Sequence, residues 1–181
     1  VCSSDLENFQ SHQLTRLEFG PELNVIVGPS DQGKSAIMRA IRWVLFNEPR
    51  GTEFIRVGSA EARVTLIWSD GSSLSRERGL RKNRYVLQRP GEEPVVLEGF
   101  GVEVPLEVRQ LSGIEPLQID KDTCLNLHLG QQLEAPFLLE GSGISQLRAK
   151  AIGRLSGVHI VDAAQSSLAS DVRRLQQLEN R

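Results

Sequence analysis

Gly28-Pro29-Ser30-Asp31-Gln32-Gly33-Lys34-Ser35 has the form G-x-x-x-x-G-K-[ST]. It follows the apolar run Leu23-Asn24-Val25-Ile26-Val27 and opens a helical pattern from Ser35 to Phe46. A strand, a glycine-bounded loop and a helix are the context in which this spacing becomes a phosphate cradle. The loop's backbone N–H groups wrap the phosphates, and the helix contributes the positive end of its dipole. Lys34 is placed to reach the β- and γ-phosphates. Ser35 is placed to give one oxygen to Mg²⁺, which keeps waters and phosphate oxygens as its other ligands. The motif implies a nucleoside triphosphate as ligand.

The flanks predict how the loop is held. A nearly continuous apolar run reads as a strand buried on both faces, here Leu23–Val27. After the loop, Ile37, Ala40, Ile41, Val44 and Leu45 recur at helical spacing and predict a core-facing stripe, ended by Asn47 and Pro49. Leu14, Leu17 and Phe19 suggest a short strand closed by Gly20-Pro21. Ala62, Val64, Leu66 and Trp68 alternate with Arg63, Thr65 and Ile67. With Asp70-Gly71, Leu74 and Tyr85-Val86-Leu87, they predict an antiparallel meander beside the nucleotide core. Residues 117–129 alternate again and are expected to return to the sheet. Ile144 to Leu155 reads as a helix ended by Gly157. From Val158 to Arg181 there is no Gly or Pro, and Val161, Ala164, Leu168, Val172, Leu175 and Leu178 form a narrow apolar seam. That seam suggests the first turns of a coiled coil, with an ordinary amphipathic helix as the alternative.

At 181 residues, 39% hydrophobic and 24% charged, the chain fits one core plus an appendage. A net charge of −2 gives no global basic field, so any DNA contact has to be local. Cys2 and Cys124 form neither a disulfide framework nor a zinc spacing, which points to a reducing, cytoplasmic setting. No apolar stretch approaches the ~18 residues of a membrane span. Val1-Cys2-Ser3-Ser4-Asp5-Leu6 can be spelled by a common sequencing adapter, so residues 1–6 are expected to be foreign and native sequence to start near Glu7.

Several motifs narrow the family. Glu7-Asn8-Phe9-Gln10-Ser11-His12 resembles the N-F-x-S-H start of the SMC-like DNA-repair ATPases, the SbcC/RecN/RecF group of ABC-type ATPases. Leu23 to Gly28 is similar to their strand into the phosphate loop, and Ala40 to Phe46 to the helix after it. Gln132-Leu133-Glu134-Ala135-Pro136-Phe137-Leu138-Leu139 resembles their Q-loop region, and the helix from Val158 lies where their coiled coil leaves the head. The resemblance implies an α/β fold: the N-terminal lobe of an ABC-type P-loop NTPase with an antiparallel β meander over residues 7–157, and a coiled-coil start over 158–181. It implies ATP and Mg²⁺ as cofactors. Gly28 to Ala36 would hold the phosphates, Asn8 to His12 would lie near the adenine and ribose, and Gln132 (or its neighbour Gln131) would touch Mg²⁺ and the attacking water. Lys34 and Gln132 would be the residues closest to catalysis.

The chain departs from the family pattern in places. Ser30 and Asp31 stand where Asn and Gly are familiar, Gln10 stands where a basic residue is common, and Ala36 lacks a second hydroxyl. A carboxylate beside a triphosphate is unfavourable, so Asp31 is expected to point outward. Leu111-Ser112-Gly113 and Leu155-Ser156-Gly157 resemble a signature loop, and Val95-Val96-Leu97-Glu98 a Walker B strand. Each lacks a defining residue, and all three read as structural. The resemblance therefore implies an ATPase head in double-strand-break repair that is completed by its own C-terminal half and a second head, and that gates an SbcD-like nuclease on DNA. An SMC-like DNA-tethering clamp without a nuclease is the alternative. A stand-alone kinase or GTPase would need acidic or base-specificity motifs that are not found. Arg76, Arg78, Arg81, Lys82 and Arg84 crowd one hairpin, which reads as a solvated loop or as a grip on DNA phosphates.

Overall fold

The computed structural model describes residues 1–115, 117–120, 123–125, 127–130 and 145–179. The chain divides into two compact units, Val1–Ile114 and Glu115–Arg181. The first unit contains β1 (Ser3–Phe9), β2 (His12–Glu18), α1 (Lys34–Phe46), β3 (Glu61–Ile67), β4 (Ser73–Gly79), β5 (Asn83–Gln88), β6 (Val95–Glu98) and α2 (Leu106–Ser112). Its six strands form one antiparallel sheet in the order β2-β1-β3-β4-β5-β6. The second unit contains β7 (Leu117–Asp120), β8 (Thr123–Leu125), α3 (Ser145–Leu155) and α4 (Val158–Glu179).

Alternation builds the sheet. Ala62, Val64 and Leu66 of β3, Leu74 of β4, and Tyr85 and Leu87 of β5 are buried on one face, as period-2 side-chain geometry requires. Onto that face α1 packs Ile37, Ala40, Trp43 and Val44. The rings of Phe9, Trp43 and Phe54 close the contact, with centroids 4.5–5.6 Å apart. Burying aliphatic side chains of this size stabilises by about 1.5–3 kcal/mol each. Asn47 ends α1 in the left-handed region at φ 57°, its N–H donating to the Trp43 carbonyl at 3.0 Å. The meander and the helix thus form where the periodicities place them. Ser3 to Leu6 pair with both β2 and β3, and Leu6 is fully buried.

Three expectations are corrected. Leu23–Val27 forms no strand, and Leu23, Val25 and Val27 are 89%, 70% and 83% exposed. A central parallel strand gains its stability from neighbours on both edges and cover on both faces. Among the described residues no strand pairs with this run. Asn24 instead ties a local loop, its side chain bonding Gly20 N–H, Gly20 O and Glu22 O. Next, among the described residues Leu117–Asp120 and Thr123–Leu125 pair only with each other, in a separate two-stranded sheet of the second unit.

The third correction concerns the basic hairpin, most of which is structural. Arg76 is 3% exposed, and its guanidinium carbon lies 5.2, 4.7 and 4.8 Å from the ring centres of Trp43, Tyr85 and Phe100. Its nitrogens donate to Asn47 Oδ1, Asn83 Oδ1, and the carbonyls of Glu77 and Arg84. Burial pushes Arg76 down to about 10 and pushes the Tyr85 hydroxyl up to about 12. On the opposite face Arg63, Arg84 and Lys82 converge on the buried Glu77 carboxylate at 2.9, 2.8 and 3.6 Å.

Burial works to raise the Glu77 pKa, but the Arg84 hydrogen bond and the charges of Arg63, Arg84 and Lys82 outweigh it and hold it below the usual carboxylate range. A depressed folded-state pKa contributes stability that is complete above the unfolded value of ~4.3 and is lost as pH falls through the folded one. Chemical denaturation at pH 7 and at successively lower pH is expected to show that acid-dependent loss in the parent. In Glu77→Gln, which starts less stable, the loss is expected to be smaller.

In the second unit Ile119 and Ala151 are buried, and Arg154 donates to the Ile119 carbonyl at 3.1 Å. Along α4, Val161, Leu168, Val172 and Leu175 are 51–65% exposed. No described helix is long and apolar enough to cross a membrane.

Candidate functional site

The phosphate loop is open to solvent from Gly28 to Gln32 and ends at Gly33, the N-cap of α1 at φ 86°. Only glycine adopts that backbone without strain. Among the described residues no side chain caps α1, and no acid occupies its first turn. The first N–H groups of the helix therefore have no side-chain acceptor, and the dipole end is not neutralised. This is the donor set a phosphate requires. Lys34 folds over the loop, its Nζ donating to Gly28 O at 2.7 Å and to Pro29 O. An ammonium group resting on loop carbonyls is within the same turn that would receive phosphate oxygens. Asp31 is exposed in the left-handed region at φ 63°. Ser35 is exposed in the first helical turn, and Ala36 is buried beneath it.

Behind the loop stands the β1–β2 hairpin. His12 Nε2 lies 3.0 Å from the Gly33 carbonyl, and His12 Nδ1 lies 2.9 Å from Thr15 Oγ1. A carbonyl only accepts, so Nε2 carries the proton and Nδ1 is free to accept from the threonine. A Cβ at Gly33 would collide with Ser11 Oγ and lie 2.7 Å from His12 Nε2. The hairpin is itself clamped. Arg39 of α1 donates to Gln10 Oε1 at 2.9 Å, and Arg56 donates to the Ser11 carbonyl at 2.7 Å. Asn8, at φ 52°, accepts the Arg56 N–H at 2.9 Å through its carbonyl.

Periodicity could not reveal His12, Ser11, Arg39 and Arg56 as supports of the loop, because each acts across a long sequence separation. The available signal was the N-F-x-S-H resemblance, which set Ser11 and His12 on the nucleotide side but did not show that they hold the loop from behind. His12→Leu is expected to weaken ATP binding about two- to tenfold, the worth of one hydrogen bond. His12→Gln, whose amide nitrogen can replace Nε2, should recover most of the affinity in a calorimetric titration. Equal affinity in all three proteins would remove His12 from the site.

Among the described residues no cluster of three or more His, Cys, Asp or Glu could hold a metal ion. Ser35 fits a Mg²⁺ whose remaining ligands are waters and phosphate oxygens. Gln131 and Gln132 lie outside the described residues. The sequence decoys are structural: Leu111-Ser112-Gly113 closes α2, with Gly113 at φ 65° bonding the Arg109 carbonyl. Val95–Glu98 is the antiparallel edge strand β6, and Leu155-Ser156-Gly157 leads from α3 into α4.

Comparison with known proteins places these features in context. Residues 5–94 match the model of an AAA domain. Arcadin-4 of Pyrobaculum calidifontis is 30% identical over 94% of this chain and 21% of its own length. A DNA double-strand break repair Rad50 ATPase of Methanococcus maripaludis is 26% identical over 90% of this chain and 16% of its own. The DNA replication and repair protein RecF of Chlamydia muridarum is 38% identical over 74% of this chain and 39% of its own. The chain thus spans well under half the length of these curated relatives. A solved structure from work on ATP-driven dimerization and DNA-stimulated activation of SMC ATPases superposes with a TM-score of 0.54 at 18% identity, covering 83% of this chain and 97% of the other. That likeness shows a shared fold.

Proposed function

Because this chain belongs to the SMC-like, SbcC/RecF-type group of ABC ATPases, we propose that it is the ATP-binding lobe of an ATPase head acting in DNA double-strand-break repair. The observation that carries the reading is the uncapped N-terminus of α1, with Gly33 held from behind by His12 and Lys34 lying over the loop. When ATP is bound, Gly28 to Ala36 cradle its phosphates, Lys34 meets the β- and γ-phosphates, and Ser35 supplies an oxygen to Mg²⁺. Gln132 senses the γ-phosphate and orients water, and Asn8 lies on the adenosine side.

The head needs partners to turn ATP over. Phosphoryl transfer depends on a positioned water and on charge-stabilising groups from more than one element. The exposed run Leu23–Val27 has the composition of a buried strand and offers itself to a further strand. Its proposed partner is the C-terminal half of the same head, which returns after a coiled coil begun by α4. ATP then clamps two heads together through γ-phosphate contacts made only in the closed state, and release reopens them. That cycle gates DNA access for an SbcD-like metallo-nuclease in a cytoplasmic, nucleoid-associated complex.

The test uses the complete reading frame. ATP with Mg²⁺ should convert head monomers to dimers in light scattering, and Gln132→Ala should leave ATP binding intact while slowing hydrolysis. Unchanged turnover in Gln132→Ala would remove Gln132 from the site. Absence of ATP-driven association would remove the clamp.

A further inference from the structure

A second recess lies at the opposite end of α1 from the phosphate loop, about 18 Å away along the thirteen-residue helix. It has a cavity volume of about 100 Å³, and Trp43, Asn47, Arg50, Arg76, Arg78 and Asn83 line it. Among the described residues, three of the lining side chains are arginines and none is a carboxylic acid. Arg76 is the buried member of the three. Each of its hydrogen-bond acceptors is neutral: two asparagine side-chain oxygens and two backbone carbonyls. The Glu77 carboxylate is turned to the other face of the sheet, where Arg63 and Arg84 engage it. A buried cation without a counter-charge is costly, and its field reaches into the adjoining cavity.

The rim supplies the donors. Arg78 uses its Nε on the Gly51 carbonyl at 3.3 Å, and no hydrogen bond of its terminal nitrogens joins another described residue. Arg50 is exposed at the mouth. Asn83 offers an amide nitrogen while its oxygen accepts from Arg76. Of the nearby acids, Glu48 is paired with Arg42 at 2.6 Å. Glu53 approaches Gly51 but is exposed to solvent, where its charge is screened. Guanidinium forks match tetrahedral oxyanions, and three positive charges suit a dianion.

We propose that this cavity binds a phosphate-class oxyanion, gripped by Arg50 and Arg78 above the buried Arg76. The group comes either from free phosphate or from the backbone of a nucleic-acid strand. The site is separate from the nucleotide cradle and does not depend on it.

The test is a nuclear magnetic resonance titration of the chain with inorganic phosphate, read at the Asn47 and Asn83 side-chain amides. Three proteins are compared: the parent, Lys34→Ala, and the double variant Arg50→Gln with Arg78→Gln. Both changes in the double variant are on the rim, so ATP affinity is expected to remain at the parent value and to report an intact fold. Saturable shifts are expected in the parent and in Lys34→Ala, with affinity at least about tenfold weaker in the double variant. A ten-nucleotide single strand that displaces phosphate identifies the source as nucleic acid; phosphate binding untouched by the oligonucleotide identifies it as free phosphate. Shifts of equal affinity in the parent and the double variant, shifts lost in Lys34→Ala alone, or no saturable shift would each overturn the proposal.

Discussion

Lys34→Ala is expected to abolish ATP binding while leaving the fold intact. The Lys34 ammonium rests on the Gly28 and Pro29 carbonyls, inside the turn that receives the phosphates. Its side chain makes no contribution to the buried core formed by Ile37, Ala40, Trp43 and Val44. Truncation therefore removes the positively charged side chain of the cradle and costs little packing. Charge-assisted hydrogen bonds contribute about 1.5–3 kcal/mol each. Two of them lost to a triphosphate reduce affinity by at least about a hundredfold. Calorimetry should show no measurable heat of binding at ATP concentrations that saturate the parent, with superimposable thermal melts in the absence of nucleotide. Parent-like affinity in Lys34→Ala would refute its role.

Arg76→Ala is the second large effect, and it falls on stability. The substitution empties an aromatic cage of Trp43, Tyr85 and Phe100. It also strands the side-chain oxygens of Asn47 and Asn83 without their donor. Asn47 is the residue that ends α1, and its amide nitrogen reaches the Val102 carbonyl at 3.2 Å. The loss thus spreads from β4 to the helix and to the segment after β6. Leaving a buried acceptor without its donor costs about 1–3 kcal/mol each, against a total of about 5–15 kcal/mol for a domain. Arg76→Met keeps the volume and drops the charge, and should be less damaging than alanine. Arg76→Lys keeps the charge but not the planar fork, so it should not restore parent stability. A denaturation midpoint for Arg76→Ala within error of the parent would show that the guanidinium is not buried in solution.

The sequence made local order legible and left long-range company hidden. The stripe Ile37, Ala40, Ile41, Val44, Leu45 predicts α1 because a helix reports its buried face through spacing alone. The alternation of Ala62, Val64 and Leu66 does the same for β3. Leu23–Val27 carries the composition of a buried strand, but composition names no partner, and among the described residues none pairs with it. Residues 117–125 show strand alternation, but alternation does not say which sheet a strand joins. Arg76 was misread because clustered charge suggests solvent. Period 2 along β4 would have placed it on the same face as the buried Leu74, with Glu77 on the other. The phosphate loop was legible because its chemistry is contiguous. The support from His12 to Gly33 crosses 21 positions, and no local pattern records such a contact.

The central claim is that a triphosphate sits at the start of α1. A crystal structure of the complete protein with Mg²⁺ and a non-hydrolysable ATP analogue tests it most directly. The β- and γ-phosphate oxygens are expected within hydrogen-bonding distance of the Gly33, Lys34 and Ser35 N–H groups, with the Lys34 ammonium moved from the loop carbonyls onto the phosphates. Nucleotide density elsewhere in the protein, with residues 28–35 unchanged and Lys34 still on Gly28, would contradict it.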